Sequence, residues 1–172
     1  ISSQLSRENG RENPAMVLEV EKLTVRNDMD LIGVESLTLS LREGEIYAIA
    51  GIGGNGQREL VEALAGMRTV EAGRILLYGQ DVTRLDIKGR LKRGFSYVPG
   101  ERLGTGLVPS MTILENLMLK NYKEPQFSDY YLLNYRAIRA QAQEWVEDYH
   151  VSLASLDQPI RALSGGNQQK LL

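Results

Sequence analysis

The chain has 172 residues, 42% apolar and 24% charged, and its 20 Lys plus Arg against 22 Asp plus Glu leave a net charge of -2. That is the make-up of a globular chain long enough for one ordinary domain, and its charge balance gives no electrostatic reason to expect nucleic acid or an anionic membrane as partner. The absence of cysteine removes disulfides and thiolate metal sites and is compatible with a reducing cytosol, and the single histidine, His150, leaves no multi-histidine metal cluster.

Residues 1–16, "ISSQLSRENGRENPAM", are polar and aperiodic and read as a linker or disordered tail. No secretory h-region stands at the N-terminus, and no stretch approaches the about 20 apolar residues of a membrane span. Regular structure is predicted from "VLEVEKLTV" at 17–25, a strand-like segment, and from "SLTLSL" at 36–41, which alternates as a half-buried strand does. "REGE" makes a turn. "IYAIA" at 46–50 is a continuous apolar run, expected of a strand covered on both faces. A glycine-rich loop follows, then a helix in "QRELVEALAGM" with Leu60, Val61, Leu64 and Ala65 on one face.

"EAGRILLYGQDV" reads as turn, strand, turn. "KGRLKR" at 88–93 reads as a solvated helix face, and "FSYV" at 95–98 as another buried strand. "PGERLGTGLVPS" is a long loop. From residue 111 the character turns helical. Ser110 is the candidate N-cap of "SMTILENLML", and "NYRAIRAQAQEWVEDYH" aligns Ile138, Ala142, Trp145 and Tyr149 on one helix face. Trp145 reads as core, and His150 as a helix-end residue favoured by the dipole. Tyr130 and Tyr131 read as part of a packed loop. No internal repeat is present.

The loop reads Gly51-Ile52-Gly53-Gly54-Asn55-Gly56-Gln57-Arg58. A phosphate loop follows G-x-x-x-x-G-K-[ST]: glycines let backbone N–H groups face an anion, the lysine reaches the outer phosphates, and the hydroxyl binds Mg²⁺. Strand, loop and helix succeed one another here as that reading requires, and the outer glycines are in place. Gln57 replaces the lysine, so charge compensation is lost. Arg58 replaces the hydroxyl and cannot ligate a metal, although it could touch a phosphate as a cation. On this loop alone, a nucleotide site and a ligand-free turn are both open.

"ALSGGNQQKLL", residues 162–172, contains a second candidate anion-accepting element, with Ser164 as cap and Gly165 and Gly166 exposing backbone N–H groups. The string "LSGGNQQK" resembles the signature motif of ABC transporter ATPases, in the form seen in sugar importers. "SYVPGERLGTGLVPSMTILENLML" resembles the family's switch loop and the first helix of its helical subdomain. Over residues 17–172 the resemblance is to the second, C-terminal cassette of the double-cassette ATP-binding subunits of simple-sugar and nucleoside importers. Related cassettes repeat "AGNGQREL" and a "VPEDR…G" stretch.

The resemblance implies an α/β P-loop NTPase (RecA-like) ABC cassette fragment with an antiparallel β subdomain and a helical subdomain. It assigns 17–99 to the N-terminal part of the ATP-binding core, 100–163 to the switch loop and helical subdomain, and 164–172 to the signature and the start of its helix. ATP with Mg²⁺ would lie between two cassettes packed head to tail. Gly51, Gly53, Gly54, Asn55, Gly56, Gln57 and Arg58 would form this cassette's own nucleotide loop. Leu163, Ser164, Gly165, Gly166 and Gln168 would act on ATP held by the other cassette of the same subunit. The implied partners are that cassette, transmembrane permease subunits and, indirectly, a substrate-binding protein, at the cytoplasmic face of the membrane. The transported sugar or nucleoside would be chosen by those other subunits.

The sequence departs from the family pattern at four places. Gln57 and Arg58 weaken the loop. Gly100 stands where most cassettes have the switch-loop glutamine and related second cassettes an acid, with Glu101 beside it as a candidate substitute. No aromatic residue lies between Val17 and Ile46, where a cassette stacks adenine. The metal-binding acid, catalytic glutamate, D-loop and switch histidine would follow Leu172, so a truncated cassette with no catalytic residue or metal ligand of its own, unable to hydrolyse ATP, is expected. Two other readings stand beside this one. One is a non-catalytic module whose helices grip a membrane protein. The other is an unrelated P-loop GTPase or small kinase, which has no use for "LSGGNQQK". Glu101 and Arg102 read either as nucleotide sensors or as a surface ion pair.

Overall fold

The computed structural model describes residues 14–129 and 131–172 and divides the chain into two compact units, Ile1–Tyr97 and Val98–Leu172. The segment read as a linker therefore lies outside the described residues up to position 13, and Met16 already belongs to a strand.

In the first unit β1 (Met16–Arg26), β2 (Ile32–Arg42), β3 (Ala72–Leu77) and β4 (Gln80–Asp81) form an antiparallel sheet in the order β2-β1-β3-β4. Leu18 and Val20 are buried, and so are Leu23 and Val25. Side chains alternate across a strand, so this change of parity requires one extra residue. Lys22, with φ 46°, supplies it, and Ser36 on β2, with φ 47°, supplies a second. Thr38 Oγ1 accepts the Lys22 N–H at 3.1 Å, and Thr24 Oγ1 accepts the Ser36 N–H at 3.2 Å, so each bulge is tied by a threonine of the opposite strand. Leu18 pairs with Leu41 and Val20 with Leu39; the register steps by one at Leu23–Leu37 and steps back at Val25–Val34.

β3 and β4 are joined by Tyr78 and Gly79, at φ 49° and 73°, the two left-handed residues of a type I′ hairpin turn. The inner face of the sheet buries Val20, Leu23, Val25 and Ile75 against Leu60, Ala63 and Leu64 of α1 (Gln57–Ala65). Ala63 lies on that face and Val61 is half-buried, a small rotation from the predicted stripe. α2 (Ile87–Leu91) follows, its Asp86 cap accepting the Gly89 N–H at 2.8 Å.

Three expectations fail in this unit. Residues 46–50 and 95–98 are not strands. A strand needs a neighbour for its N–H and C=O groups, and none of the described strands lies alongside them. Ile46 is accordingly 79% and Val98 56% exposed. Nor is 88–93 a wholly solvated helix face. Arg90 is 2% exposed, and its guanidinium donates to the carbonyls of Ala63 (2.5 Å), Leu64 (2.6 Å), Thr83 (3.0 Å) and Leu85 (3.1 Å). The helix C-terminus carries partial negative charge and unpaired carbonyls, and Arg90 satisfies both.

The second unit contains α3 (Ile113–Met118), a short hairpin of β5 (Ser128–Asp129) and β6 (Leu132–Leu133), α4 (Tyr135–Asp148), a 3₁₀ turn (Ile160–Ala162) and α5 (Gly165–Lys170). Its core gathers Ile113, Phe127, Ile138, Ala142 and Ile160, with Trp145 edge-on to Phe127 at 6.5 Å. Trp145 is thus a core residue as expected, but Tyr149 caps α4 and is 62% exposed. The cap of α3 is Thr112, not Ser110. Thr112 accepts the Glu115 N–H at 3.2 Å while Glu115 accepts the Thr112 N–H at 2.8 Å, a complete capping box. Asn116 is buried and holds the preceding loop, accepting from the Val108 N–H at 2.7 Å and donating to the Val108 and Thr112 carbonyls. His150 follows α4 at φ 50°, a helix-end residue as expected, and its carbonyl accepts from Lys170 Nζ at 2.7 Å. Tyr131 is 98% exposed rather than packed, and Tyr130 lies outside the described residues.

Candidate nucleotide site

The glycine-rich loop feeds directly into α1. Gly56 caps that helix at φ 86° with no side-chain hydrogen bond, so the first amides of α1 are left to other acceptors. A side chain at Gly56 would run into the Gly33 carbonyl. Glycine is therefore required there by conformation and by contact. Gly53 and Gly54 face open space, and the Asn55 N–H donates to the Ile52 carbonyl at 3.2 Å. A cavity of about 280 Å³ opens beside the loop, lined among others by Val34, Leu37, Ile49, Gly51, Gly56 and Gln57.

Gln57 and Arg58 occupy this loop in a particular way. The Gln57 carboxamide folds back over Gly51, in the space a Cβ would take, and donates to the Ile52 carbonyl at 3.4 Å. Arg58 turns away from the glycines: its Nε donates to Glu62 Oε1 at 2.7 Å, and its Nη1 lies 3.5 Å from Asp28 Oδ2. Arg68 pairs with the same two acids, at 2.6 Å each. Burial works against the charged form of Glu62, but hydrogen bonds from Arg58 and Arg68 outweigh it and hold the carboxyl below the usual carboxylate range. Hydrogen bonding from Arg68 lowers Asp28 in the same way. Arg58 is thus tied to two acids of its own unit in this structure.

These residues do not fit Mg²⁺ at this loop. A neutral carboxamide stands for the ammonium, and a cation committed to two carboxylates stands for the ligating hydroxyl. No group of three or more metal-ligating side chains occurs among the described residues.

In the second unit Ser164 caps α5, its hydroxyl accepting the Asn167 N–H at 3.4 Å. Asn167 accepts from the Ser152 N–H at 3.2 Å and donates to the Ser152 carbonyl at 3.0 Å. Leu163 is buried, and so is Gln168, which donates to the carbonyls of Leu163 (3.0 Å) and Ile160 (3.4 Å). Leu163 and Gln168 therefore hold the segment from beneath. Ser164 and Gly166 are exposed, and nothing lies within 4 Å of a Cβ placed on Gly166. Gly100 is exposed, and Glu101 accepts from the Thr105 hydroxyl at 3.3 Å instead of pairing with Arg102. The Arg102 guanidinium lies over Gly165, 3.2 Å from where its Cβ would be. The sequence reads Arg102 with Glu101 as a nucleotide sensor or a surface ion pair but does not bring it to Gly165, because the loop that does so leaves no periodic signal.

A glycine loop opening a helix and an exposed serine–glycine signature define the nucleotide-binding cassette class. The family model for ABC transporters matches residues 34–172, and the chain belongs to that family, whose cassettes bind ATP with Mg²⁺. It is similar to the nucleoside import ATP-binding protein NupA of Lactococcus lactis subsp. cremoris, 38% identical over 157 residues that make up 91% of this chain and 31% of that protein. It is also similar to the galactose/methyl galactoside import ATP-binding protein MglA of Vibrio cholerae, 33% identical over 168 residues, 96% of this chain and 32% of that protein. The chain spans about a third of the length of these curated relatives.

Solved cassettes share the fold. One is cbiO1 from Clostridium perfringens, part of the ABC transporter complex cbiONQ, with TM-score 0.65 and 19% identity over 91% of this chain and 59% of that one. Another is the cassette MJ0796 in a dimeric post-hydrolysis state bound to ADP and Pi, with TM-score 0.69 and 21% identity over 90% of this chain and 66% of that one.

Proposed function

We propose that this chain is part of the ATP-binding subunit of an importer for a simple sugar or nucleoside, and that it corresponds to the second cassette of that subunit. Residues 17–99 belong to the ATP-binding core, 100–163 to the switch loop and helical subdomain, and 164–172 to the signature. Its own phosphate loop binds Mg-ATP weakly or not at all, while Ser164, Gly165 and Gly166 serve ATP held by the partner cassette. The observation that carries this reading is the contrast between the two elements. Gln57 folds over Gly51 and Arg58 is tied to Glu62 and Asp28, whereas the signature face is open. The subunit works at the cytoplasmic face of the membrane, against permease subunits fed by a substrate-binding protein.

A titration of the ¹⁵N-labelled chain with Mg-ATP tests it. Amides of Gly51–Gly56 are expected to shift little at millimolar nucleotide, and those of Ser164–Gly166 to respond once an ATP-loaded partner cassette is added. Saturating shifts in the loop at micromolar ATP would sink the weakened-loop reading. A signature that stays unmoved with the loaded partner would sink the trans reading.

The second reading, a nucleotide-independent docking module, draws on an apolar cleft of about 180 Å³ lined by Met111, Leu114, Met118, Leu119, Tyr122 and Ile138. It predicts permease binding with no nucleotide response in either element.

A further inference from the structure

We propose that Arg102 is a catalytic residue of the shared site: its guanidinium meets the terminal phosphate of the ATP that faces Ser164, Gly165 and Gly166. This rests on the trans reading of the signature and adds a residue to it.

Three observations place Arg102 there. The first is its packing. A Cβ built on Gly165 would lie 3.2 Å from Nη2, 3.5 Å from Cζ and 3.9 Å from Nε of Arg102, so the guanidinium lies across the glycine while the residue stays exposed on the signature face. The second is its anchorage. The Arg102 carbonyl accepts the Leu107 N–H at 2.7 Å, and the Gly104 N–H donates to the Leu107 carbonyl at 2.9 Å. Leu107 is 4% exposed in the core of the same unit. This closed loop fixes where the side chain begins. The third is its lack of internal acceptors. Arg26, Arg58, Arg68 and Arg139 each bind carboxylates, and Arg90 binds four carbonyls. Among the described residues, no carboxylate or carbonyl accepts from the Arg102 guanidinium, and the adjacent Glu101 is taken by Thr105.

Phosphoryl transfer from ATP spreads negative charge over the equatorial oxygens of the moving group, and a positioned arginine stabilises that charge when it comes from a neighbouring chain. A planar guanidinium can grip two such oxygens at once, which an ammonium cannot. Gly165 gives it room. An alanine there would press on the guanidinium at 3.2 Å and make it give by a few tenths of an ångström.

The test uses the chain assembled with a partner cassette whose loop carries the lysine. Two quantities are read: kcat and KM for ATP hydrolysis, and the amount of Mg-ADP-vanadate retained without turnover. Arg102→Ala is expected to lower kcat at least about tenfold, toward the roughly 10³-fold a charge-stabilising arginine supplies, with KM changed less than about twofold. Vanadate-trapped ADP falls in parallel, Arg102→Lys recovers little of either, and the melting temperature stays put because the side chain has no internal partner to lose. Ser164→Ala separates the two layers of the argument. Wild-type turnover and trapping in Arg102→Ala, with both impaired in Ser164→Ala, overturn the role of Arg102 alone. If both variants match the wild type, the trans reading fails and the role of Arg102 falls with it.

Discussion

Arg90 is where a single substitution tests the physics of the first unit most directly. Its four hydrogen bonds to carbonyls come from a charged donor, each contributing about 1.5 kcal/mol, or about 6 kcal/mol together. Taking a guanidinium out of water costs several kcal/mol, which an apolar replacement would recover, and burial accordingly pushes the Arg90 guanidinium down in pKa. The difference leaves Arg90→Met destabilised by about 3 kcal/mol. Part of that loss is local, since the Ala63 and Leu64 carbonyls at the end of α1 lose their donor. Urea denaturation reads the global change, and hydrogen exchange of the Leu60–Ala65 amides reads the local one. Arg90→Lys should recover less than half, because one ammonium cannot reach four acceptors arranged around a fork. A loss below about 0.5 kcal/mol in Arg90→Met, or full recovery by lysine, would refute the reasoning: the fork would then be incidental to the end of α1.

Three further outcomes are expected. Thr112→Ala removes the capping box of α3 and should cost about 1 kcal/mol in thermal or urea unfolding, with Thr112→Ser nearly neutral. Gly56→Ala places a side chain against the Gly33 carbonyl at φ 86°, and should cost more than the 1–2 kcal/mol or so of left-handed strain alone, measured by the same unfolding assay. The network around Arg58 and Arg68 gives the third. Its acids Glu62 and Asp28 are lowered in the folded chain, so their contribution is fully present above the unfolded carboxylate values near about 4 and is lost as pH falls through the lowered folded values. Stability should therefore decline on acidification, and Glu62→Gln should flatten that decline in a series of melts.

The sequence is most informative where chemistry is written in consecutive residues. The loop 51–58 and the signature 163–168 are legible as consecutive strings, although left-handed backbone calls for glycine only at Gly54 and Gly56, and Gly56 is also required by the distant Gly33 carbonyl. The β1 and β2 segments are legible as strands by their branched and apolar residues. Their bulges are not, because Lys22 and Ser36 have no local signature and take left-handed backbone only through threonines on the opposite strand. The apolar runs 46–50 and 95–98 mislead for a related reason. An apolar run shows what a segment would bury, but ladder partners decide whether it is a strand. Arg90 was hidden by its neighbours, since "KGRLKR" has the composition of a solvated face and only the end of α1 turns one of its cations inward. Ser110 lost the cap of α3 to Thr112 because Glu115 stands three residues beyond Thr112 and completes the reciprocal pair.

The paired bulges have a consequence for how this cassette tolerates change in length. Lys22 advances the pairing of β1 with β2 by one step and Ser36 returns it. Together they behave like two compensating frameshifts in a reading frame, the second returning the ladder to its starting register. The apolar residues on both sides of each bulge face inward only because of the extra residue, so loss of Lys22 or of Ser36 would be absorbed as plain alternation in its own strand, whereas a deletion elsewhere in either strand would turn leucines outward. Because Gly33 at the start of β2 is the surface on which Gly56 rests, this phasing also sets how deeply the glycine loop is seated. Deletions that persist in related chains should therefore fall at these two positions in preference to the rest of the strands.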